Sequence, residues 1–285
     1  MMRATAFCPG HVSCVFQPRR YDDPLRSGSR GIGLCLGLGA YADVEDGDGL
    51  EITVNGVLDD ADVTRAALRS LGADDVAVRI QTELPISQGF AMSAAGTVAA
   101  CLAVAHMRGL PSDTAFRAAH VAELDEGGGM GDVAGILAGG VSVRTSPGLP
   151  PHGAVERLSL HGDLLLAVLG PPIMTAKVLS DDIMRRRIEH TGGECIDAFL
   201  EEPGWSSLFT QSQRFSRETG LLDSAVEKSL QSLEPHGKAS MCMLGNSIFF
   251  RGDIAAARSV LGDDVWTCGI DLMGPRITDR TTHRQ

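Results

Sequence analysis

The stretch Pro85-Ile-Ser-Gln-Gly-Phe-Ala-Met-Ser-Ala-Ala-Gly96 governs how the rest of the chain is read, because its small residues lead directly into a long apolar run ending near Arg108. The run predicts a helix over 93–108, apolar on nearly every side and therefore buried inside a domain. The first amides of such a helix lack intrahelical partners and carry the positive end of its dipole. Pro85, Gly89, Phe90, Ala91, Met92, Ser93, Ala94 and Ala95 then make a candidate phosphate cradle. Gly89, Ala91, Ala94 and Ala95 let anionic oxygens approach the backbone, and Ser93 adds a hydroxyl. Taken alone, the stretch reads equally as a helix start whose small residues serve packing.

Upstream, 76–80 reads as the strand that delivers the chain to this loop, after an amphipathic helix over 60–71 that Gly72 stops. Residues 50–57 read as a strand broken at Asn55-Gly56. At the start, 4–7 and 12–16 read as two strands joined by a tight turn at Cys8-Pro9-Gly10, with His11 at the bend. A functional and a packing reading of His11 stand equal. The polar, glycine-rich segment 22–33 suits either an anion-binding loop or a surface turn. Gly37-Leu-Gly39-Ala-Tyr-Ala42 imitates a dinucleotide fingerprint, but the acidic 43–49 follows where a helix is needed. That match is discarded, and the acidic run is read as a solvated hairpin end.

Downstream, Ser112 reads as the cap of a helix over 113–124 on which His120 and Glu123, three apart, share a face. Gly127-Gly-Gly-Met-Gly131 turns sharply and presents Asp132 before a small-residue segment, a backbone that can close around a ligand. Residues 141–145 read as a strand carrying Arg144, and 147–153 is the most linker-like stretch, which places domains at 1–150 and 151–285. Beyond it come strands at 155–160 and 164–169, the second apolar throughout and hence central. Helices follow from a cap at Ser180 to about Leu233, punctuated by Gly192-Gly193, Pro203-Gly204 and Gly220. A strand pair over 238–250 turning at Gly245-Asn246, a helix over 253–261 and a strand over 265–271 complete an α+β chain with a second, helix-covered sheet.

The totals restrict the partners. Length, 285 residues, allows two packed halves, and a formal charge of -11 argues against a nonspecific nucleic-acid binder or an anionic membrane surface. The first residues lack the apolar core of a signal peptide, and no run approaches a membrane span. Seven scattered cysteines, none in a Cys-x-x-Cys pair, indicate neither a disulfide framework nor a zinc site and suit a reducing cytoplasm.

Phosphoryl transfer needs a phosphate cradle, a metal and something to position the acceptor. The chain offers the loop over 89–95, the pair Ser93 and Glu123 for Mg2+, and Asp132 beside an acceptor hydroxyl. The loop resembles Pro-x-x-x-Gly-Leu-Gly-Ser-Ser-Ala of the galacto-, homoserine, mevalonate and phosphomevalonate kinase (GHMP) superfamily. It departs at Ala91, where that superfamily has its second glycine, and at Met92, where it has its first serine. Asp23-Pro-Leu-Arg-Ser-Gly-Ser29, His120-Val-Ala-Glu123, Met130-Gly-Asp-Val133 and Met243-Leu-Gly-Asn-Ser247, with Pro9-Gly-His11, resemble the signatures of the archaeal pantoate kinase family.

That resemblance implies transfer of the ATP gamma-phosphoryl group to the primary hydroxyl of pantoate, with Mg2+ held by Ser93 and Glu123. It places Ser93, Glu123 and Asp132 in catalytic positions and Ser29, His120, Arg144 and Thr175 in those that hold the substrate. It implies a two-domain GHMP kinase fold, with an N-terminal domain resembling part of a small ribosomal protein and a ferredoxin-like C-terminal domain. The third motif, Ser240-Met-Cys-Met-Leu-Gly245, is bulkier than the superfamily's glycine-rich loop. A kinase acting on homoserine, mevalonate or shikimate, and a nucleotide-binding regulator without turnover, are the competing readings. A homodimer is left open.

Overall fold

In the computed structural model, which describes residues 2–127, 129–173 and 181–279, two long strands, β1 (Arg3–Arg19) and β2 (Gly28–Asp46), pair antiparallel. The expected turn at Cys8-Pro9-Gly10 is instead an irregularity within β1, where the register jumps from Pro9 opposite Gly39 to His11 opposite Cys35. Pro9 has no N–H for the ladder, so the pairing breaks there without reversing the chain. The released His11 N–H donates to the carbonyl of Phe90 at 3.0 Å. The acidic run also differs from expectation. Asp43 lies within β2, buried, where it accepts from the Thr5 hydroxyl, and residues 47–50 are no hairpin end but a connection to a strand two places away in the sheet.

After β3 (Glu51–Val54) and β4 (Val57–Leu58), the amphipathic α1 (Asp62–Ser70) leads to β5 (Val76–Thr82). The apolar run becomes α2 (Met92–Met107), which packs on β1 and β2 and is covered by α1 and α3 (Ser112–Asp125). Ser112 begins α3 as its first helical residue; Pro111 holds the cap position and no side chain caps it. The short α4 (Asp132–Ala138) precedes β6 (Val141–Ser146) and β7 (Ala154–Leu158). β6 pairs with β2 and β7 with β6, so 147–153 joins two strands of one sheet. The first sheet runs β12-β1-β2-β5-β3-β4, its edge closed by β12 (Arg276–Ile277), a strand that sequence reading missed because two residues carry no pattern.

The second sheet is antiparallel throughout: β8 (Leu164–Val168), β9 (Gly237–Met241), β10 (Ser247–Gly252) and β11 (Val265–Cys268), in the order β11-β8-β10-β9. The apolar β8 is interior, as expected. Among the described residues three helices, α5 (Asp182–Glu201), α6 (Trp205–Thr219) and α7 (Ser224–Leu233), lie between β8 and β9, and α8 (Ile254–Leu261) between β10 and β11. This is the β-α-β-β-α-β order of a ferredoxin-like sheet with an enlarged first crossover. The cap of α5 is Asp181, whose carboxylate accepts from the amides of Ile183 and Met184 at 2.9 Å; the expected cap, Ser180, lies outside the described residues.

Gly192-Gly193 does not interrupt α5. A Cβ at Gly192 would strike the carbonyl of Phe16, and one at Gly193 would lie 2.6 Å from Gln17 Nε2. The two glycines therefore let the helix lie directly on β1, where Gln17 Nε2 donates to the Glu189 carbonyl at 2.7 Å. Gly192→Ala gains up to about 1 kcal/mol of helix propensity but forces the layers apart. It should destabilise the protein by a net ~1–3 kcal/mol, read as a lower urea midpoint with an unchanged slope.

All seven cysteines are buried free thiols, and burial pushes Cys35, Cys101 and Cys242 up to about 12. Among the described residues no helix is long and apolar enough to cross a membrane.

Candidate active site

Between β5 and α2 the loop takes left-handed φ values at Ser87, Gly89 and Ala91, 61°, 76° and 54°. The residues between them do not, so φ alternates in sign just ahead of a helix N-terminus, the backbone pattern from which anion nests are built. The loop is held from behind. Ser247 Oγ donates to the Gln88 carbonyl at 2.5 Å, Gln88 Nε2 donates to the Gly170 carbonyl at 3.0 Å, and the Phe90 carbonyl takes the His11 amide. Gly245, in the bulky third motif, sits so close that a Cβ there would collide with Gln88. That motif thus braces the loop through its one glycine.

Ala91 is an L-residue in the left-handed region, which costs about 1–2 kcal/mol, and it stands where the superfamily pattern has glycine. Ala91→Gly should therefore stabilise the protein by a net ~0.5–1 kcal/mol, once the greater flexibility of glycine in the unfolded chain is deducted. A thermal melt that fell instead would show the loop's strain to be relieved elsewhere.

A cleft of about 610 Å³ opens before this loop. Gly89, Ala91, Met92, Ser93 and Ala94 line it together with Ser29, Glu123 and Asp132. The other loop residues do not: Phe90 and Ala95 are core and Pro85 is half-buried behind them.

Glu123 comes from the buried face of α3. Its Oε2 has no partner, and burial first, with the Asp132 charge second, raises its pKa well above the usual carboxylate range against a bond from the Gly129 amide. Asp132 is the first residue of α4 and 22% exposed, with Oδ1 3.0 Å from His11 Nδ1.

Arg144, on β6, is the largest fully buried side chain. Its Nε donates to the Ser29 carbonyl at 3.3 Å and its Nη1 lies 3.4 Å from His11 Nε2, while Nη2 is buried without a partner. Burial lowers its pKa and the Asp132 charge opposes that. The space it fills exists because Gly31, Gly131 and Gly135 surround it, where a Cβ would meet the guanidinium.

Arg144 and His120, both expected to hold substrate, are not among the residues that line the cleft, Arg144 being fully buried beside it. His120 Nε2 lies 3.0 Å from the Ser27 carbonyl and 3.2 Å from that of Pro24, tying α3 to the loop before Ser29. Thr175 lies outside the described residues.

Residues 57–140 match the GHMP kinases N terminal domain. A pantoate kinase of Thermococcus kodakarensis is 30% identical over 262 aligned residues, 87% of each chain. One of Methanospirillum hungatei is 30% identical over 289 aligned positions, 97% of each. The chain belongs to the pantoate kinase family. A solved structure described as a phosphotransferase related to the CoA biosynthesis pathway superposes with a TM-score of 0.87 at 27% identity, covering 97% of this chain and 99% of that one. The fold is accordingly the α+β GHMP kinase fold, in the form taken by this pantoate kinase family member.

What sequence reading left unassigned in this pantoate kinase scaffold is the pair His11 and Ser142. His11 Nε2 is 3.3 Å from Ser142 Oγ, and Ser142 and Arg144, two apart on β6, share a face. A usable signal was present. Gly31 and Gly33, two apart on the neighbouring strand and in register with Arg144 and Ser142, leave an open slot on that face.

Glu123 also makes a stability prediction for the ligand-free protein. Its folded pKa is raised, so its contribution is fully present below the unfolded carboxylate pKa and is lost as pH rises through the folded value. Glu123→Gln should therefore stabilise the chelator-treated protein by about 1–2 kcal/mol near pH 8, with little difference at pH 4. Equal thermal midpoints for the two proteins at both pH values would mean that the carboxylate carries no such penalty.

Proposed function

We propose that this protein transfers the gamma-phosphoryl group of ATP to the primary hydroxyl of pantoate, giving 4-phosphopantoate for coenzyme A synthesis. The observation that carries this reading is the Arg144 guanidinium. It is a buried cation with an unpartnered Nη2, braced on the same His11 ring that holds Asp132. A small hydroxy acid presents a carboxylate and a hydroxyl a few bonds apart. Arg144 supplies the fork for the first and Asp132 the acceptor for the second.

The other parts follow the same chemistry. The nest over 87–91 and the first amides of α2 receive the phosphates of ATP. The wall formed by Val54, Val63 and Ile80 takes the nucleoside. Ser93 and Glu123 suit Mg2+, a hard cation that accepts hydroxyl and carboxylate oxygens, and the unpartnered Glu123 Oε2 is the atom such an ion would satisfy. When bound, the ion neutralises charge on the transferring phosphates. Asp132 orients the acceptor hydroxyl and takes its proton as the new P–O bond forms. Ser29 lines the acceptor end, and His120 acts on it through the loop it anchors. Thr175 is retained as a substrate residue on the resemblance alone.

ADP release from the purified protein with ATP and Mg2+, comparing pantoate with homoserine, mevalonate and shikimate at equal concentration, tests this directly. Pantoate-selective release is expected. Release with another acceptor would keep the phosphate loop and Asp132 and move the substrate. Silence with every acceptor, despite ATP binding, would leave a nucleotide-binding regulator.

A further inference from the structure

His11 sits at the irregularity of β1, fully buried, with a polar partner on each ring nitrogen: Asp132 Oδ1 at 3.0 Å from Nδ1, and Arg144 Nη1 at 3.4 Å and Ser142 Oγ at 3.3 Å from Nε2. Guanidinium nitrogens only donate. Nε2 facing Arg144 must therefore offer its lone pair, and the ring proton belongs on Nδ1, where it can only be given to Asp132. Burial, which lowers the ring's pKa against the opposing influence of Asp132, agrees with a neutral imidazole. The slot is fitted to the ring, since a Cβ at Gly33 or Gly135 would strike Nε2.

We propose that His11 is a positioning residue linking the two ends of the acceptor: its Nδ1–H orients the Asp132 carboxylate while its Nε2 receives the Arg144 guanidinium. One ring then fixes the angle of the group that meets the hydroxyl and of the group that meets the carboxylate. With both His11-facing atoms satisfied, Arg144 Nη2 is left without a partner and Asp132 is left its second carboxylate oxygen. The effect on turnover rests on the kinase reading above; the position of the ring proton does not.

Two measurements test it. The first is the 15N spectrum of histidine-labelled protein, with the His11 signal assigned by its loss in His11→Asn or His11→Gln. A neutral ring protonated on Nδ1 at pH 7 is expected, and an Nε2-protonated ring or an imidazolium would overturn the proposal whether or not the protein turns over pantoate. The second compares His11→Asn, whose amide places an N–H where Nδ1–H stood, with His11→Leu, which places none. The Leu variant should lose about 10²-fold in kcat at unchanged ATP affinity. The Asn variant should stay within about fivefold of the parent kcat, with a raised KM for the acceptor because Arg144 has lost its brace. In an Asp132→Asn background His11→Leu should add less than about threefold, because its effect passes through Asp132. Equal losses in Asn and Leu, or full additivity with Asp132→Asn, would reduce His11 to a packing residue. A parent protein inactive with every acceptor would sink the kinase reading instead, with the ring proton still deciding for or against His11.

Discussion

Asp132→Asn is expected to lower kcat by about 10²- to 10⁴-fold while the dissociation constant for ATP changes by less than about threefold. The substitution keeps volume and keeps an oxygen for the His11 Nδ1–H, so the start of α4 and the Glu123 pocket stay in place. What it removes is the charge that draws the acceptor proton. Stopped-time assays of phosphorylated acceptor, beside calorimetric binding of a non-hydrolysable ATP analogue, separate the two quantities. Turnover near that of the parent would take Asp132 out of the mechanism and leave alignment over the phosphate loop as the main source of catalysis.

Arg144→Lys should raise the KM for the acceptor by about 10- to 100-fold, the loss of one charge-assisted, forked contact. In the proposed reaction the guanidinium serves three directions at once: Nε to the Ser29 carbonyl, Nη1 to His11, and Nη2, buried without a partner, to the substrate. One ammonium at the end of a flexible stem cannot serve all three. Because the side chain is fully buried, its shortening also leaves empty space and unpaired partners, so thermal stability has to be measured alongside. A kinetic defect confined to the acceptor, with the ATP KM untouched, is the expected signature. An unchanged KM for pantoate would dissolve the carboxylate clamp.

The helix α2 was legible because a 16-residue apolar run has no polar face to explain away, whereas its small-residue start served packing and anion binding equally well as a reading. The strands of the second sheet were legible where they are short and apolar between glycines, as β8 is, but the strand expected at 155–160 beside it pairs with β6 in the first sheet. The continuity of β1 was not legible, because Pro9-Gly10 is the local signature of a reversal and only pairing with β2 decides that the chain runs straight on. Gly192-Gly193 misled in the same way: glycine in a helical pattern reads as an end unless the carbonyl of Phe16 is known to press against it. At the site, Glu123 and Asp132, which line the cleft, were picked by their order after the loop and by the family resemblance, whereas the setting of His120 against the Ser27 carbonyl depends on how α3 meets a loop almost a hundred residues earlier in the chain.

The strand β12 bears on how the chain comes into being. Its Arg276 pairs with Phe7 in the ladder, stacks its guanidinium 4.5 Å over the Phe7 ring and is anchored by Asp271 at 2.8 Å. During synthesis the first sheet can assemble around α2 as soon as β6 and β7 emerge, yet the outer side of β1 stays bare until Arg276 and Ile277 follow the whole second sheet out. A nascent or truncated chain ending after the second sheet would therefore present an open edge beside an aromatic ring, the kind of surface to which another unfinished copy adds a strand.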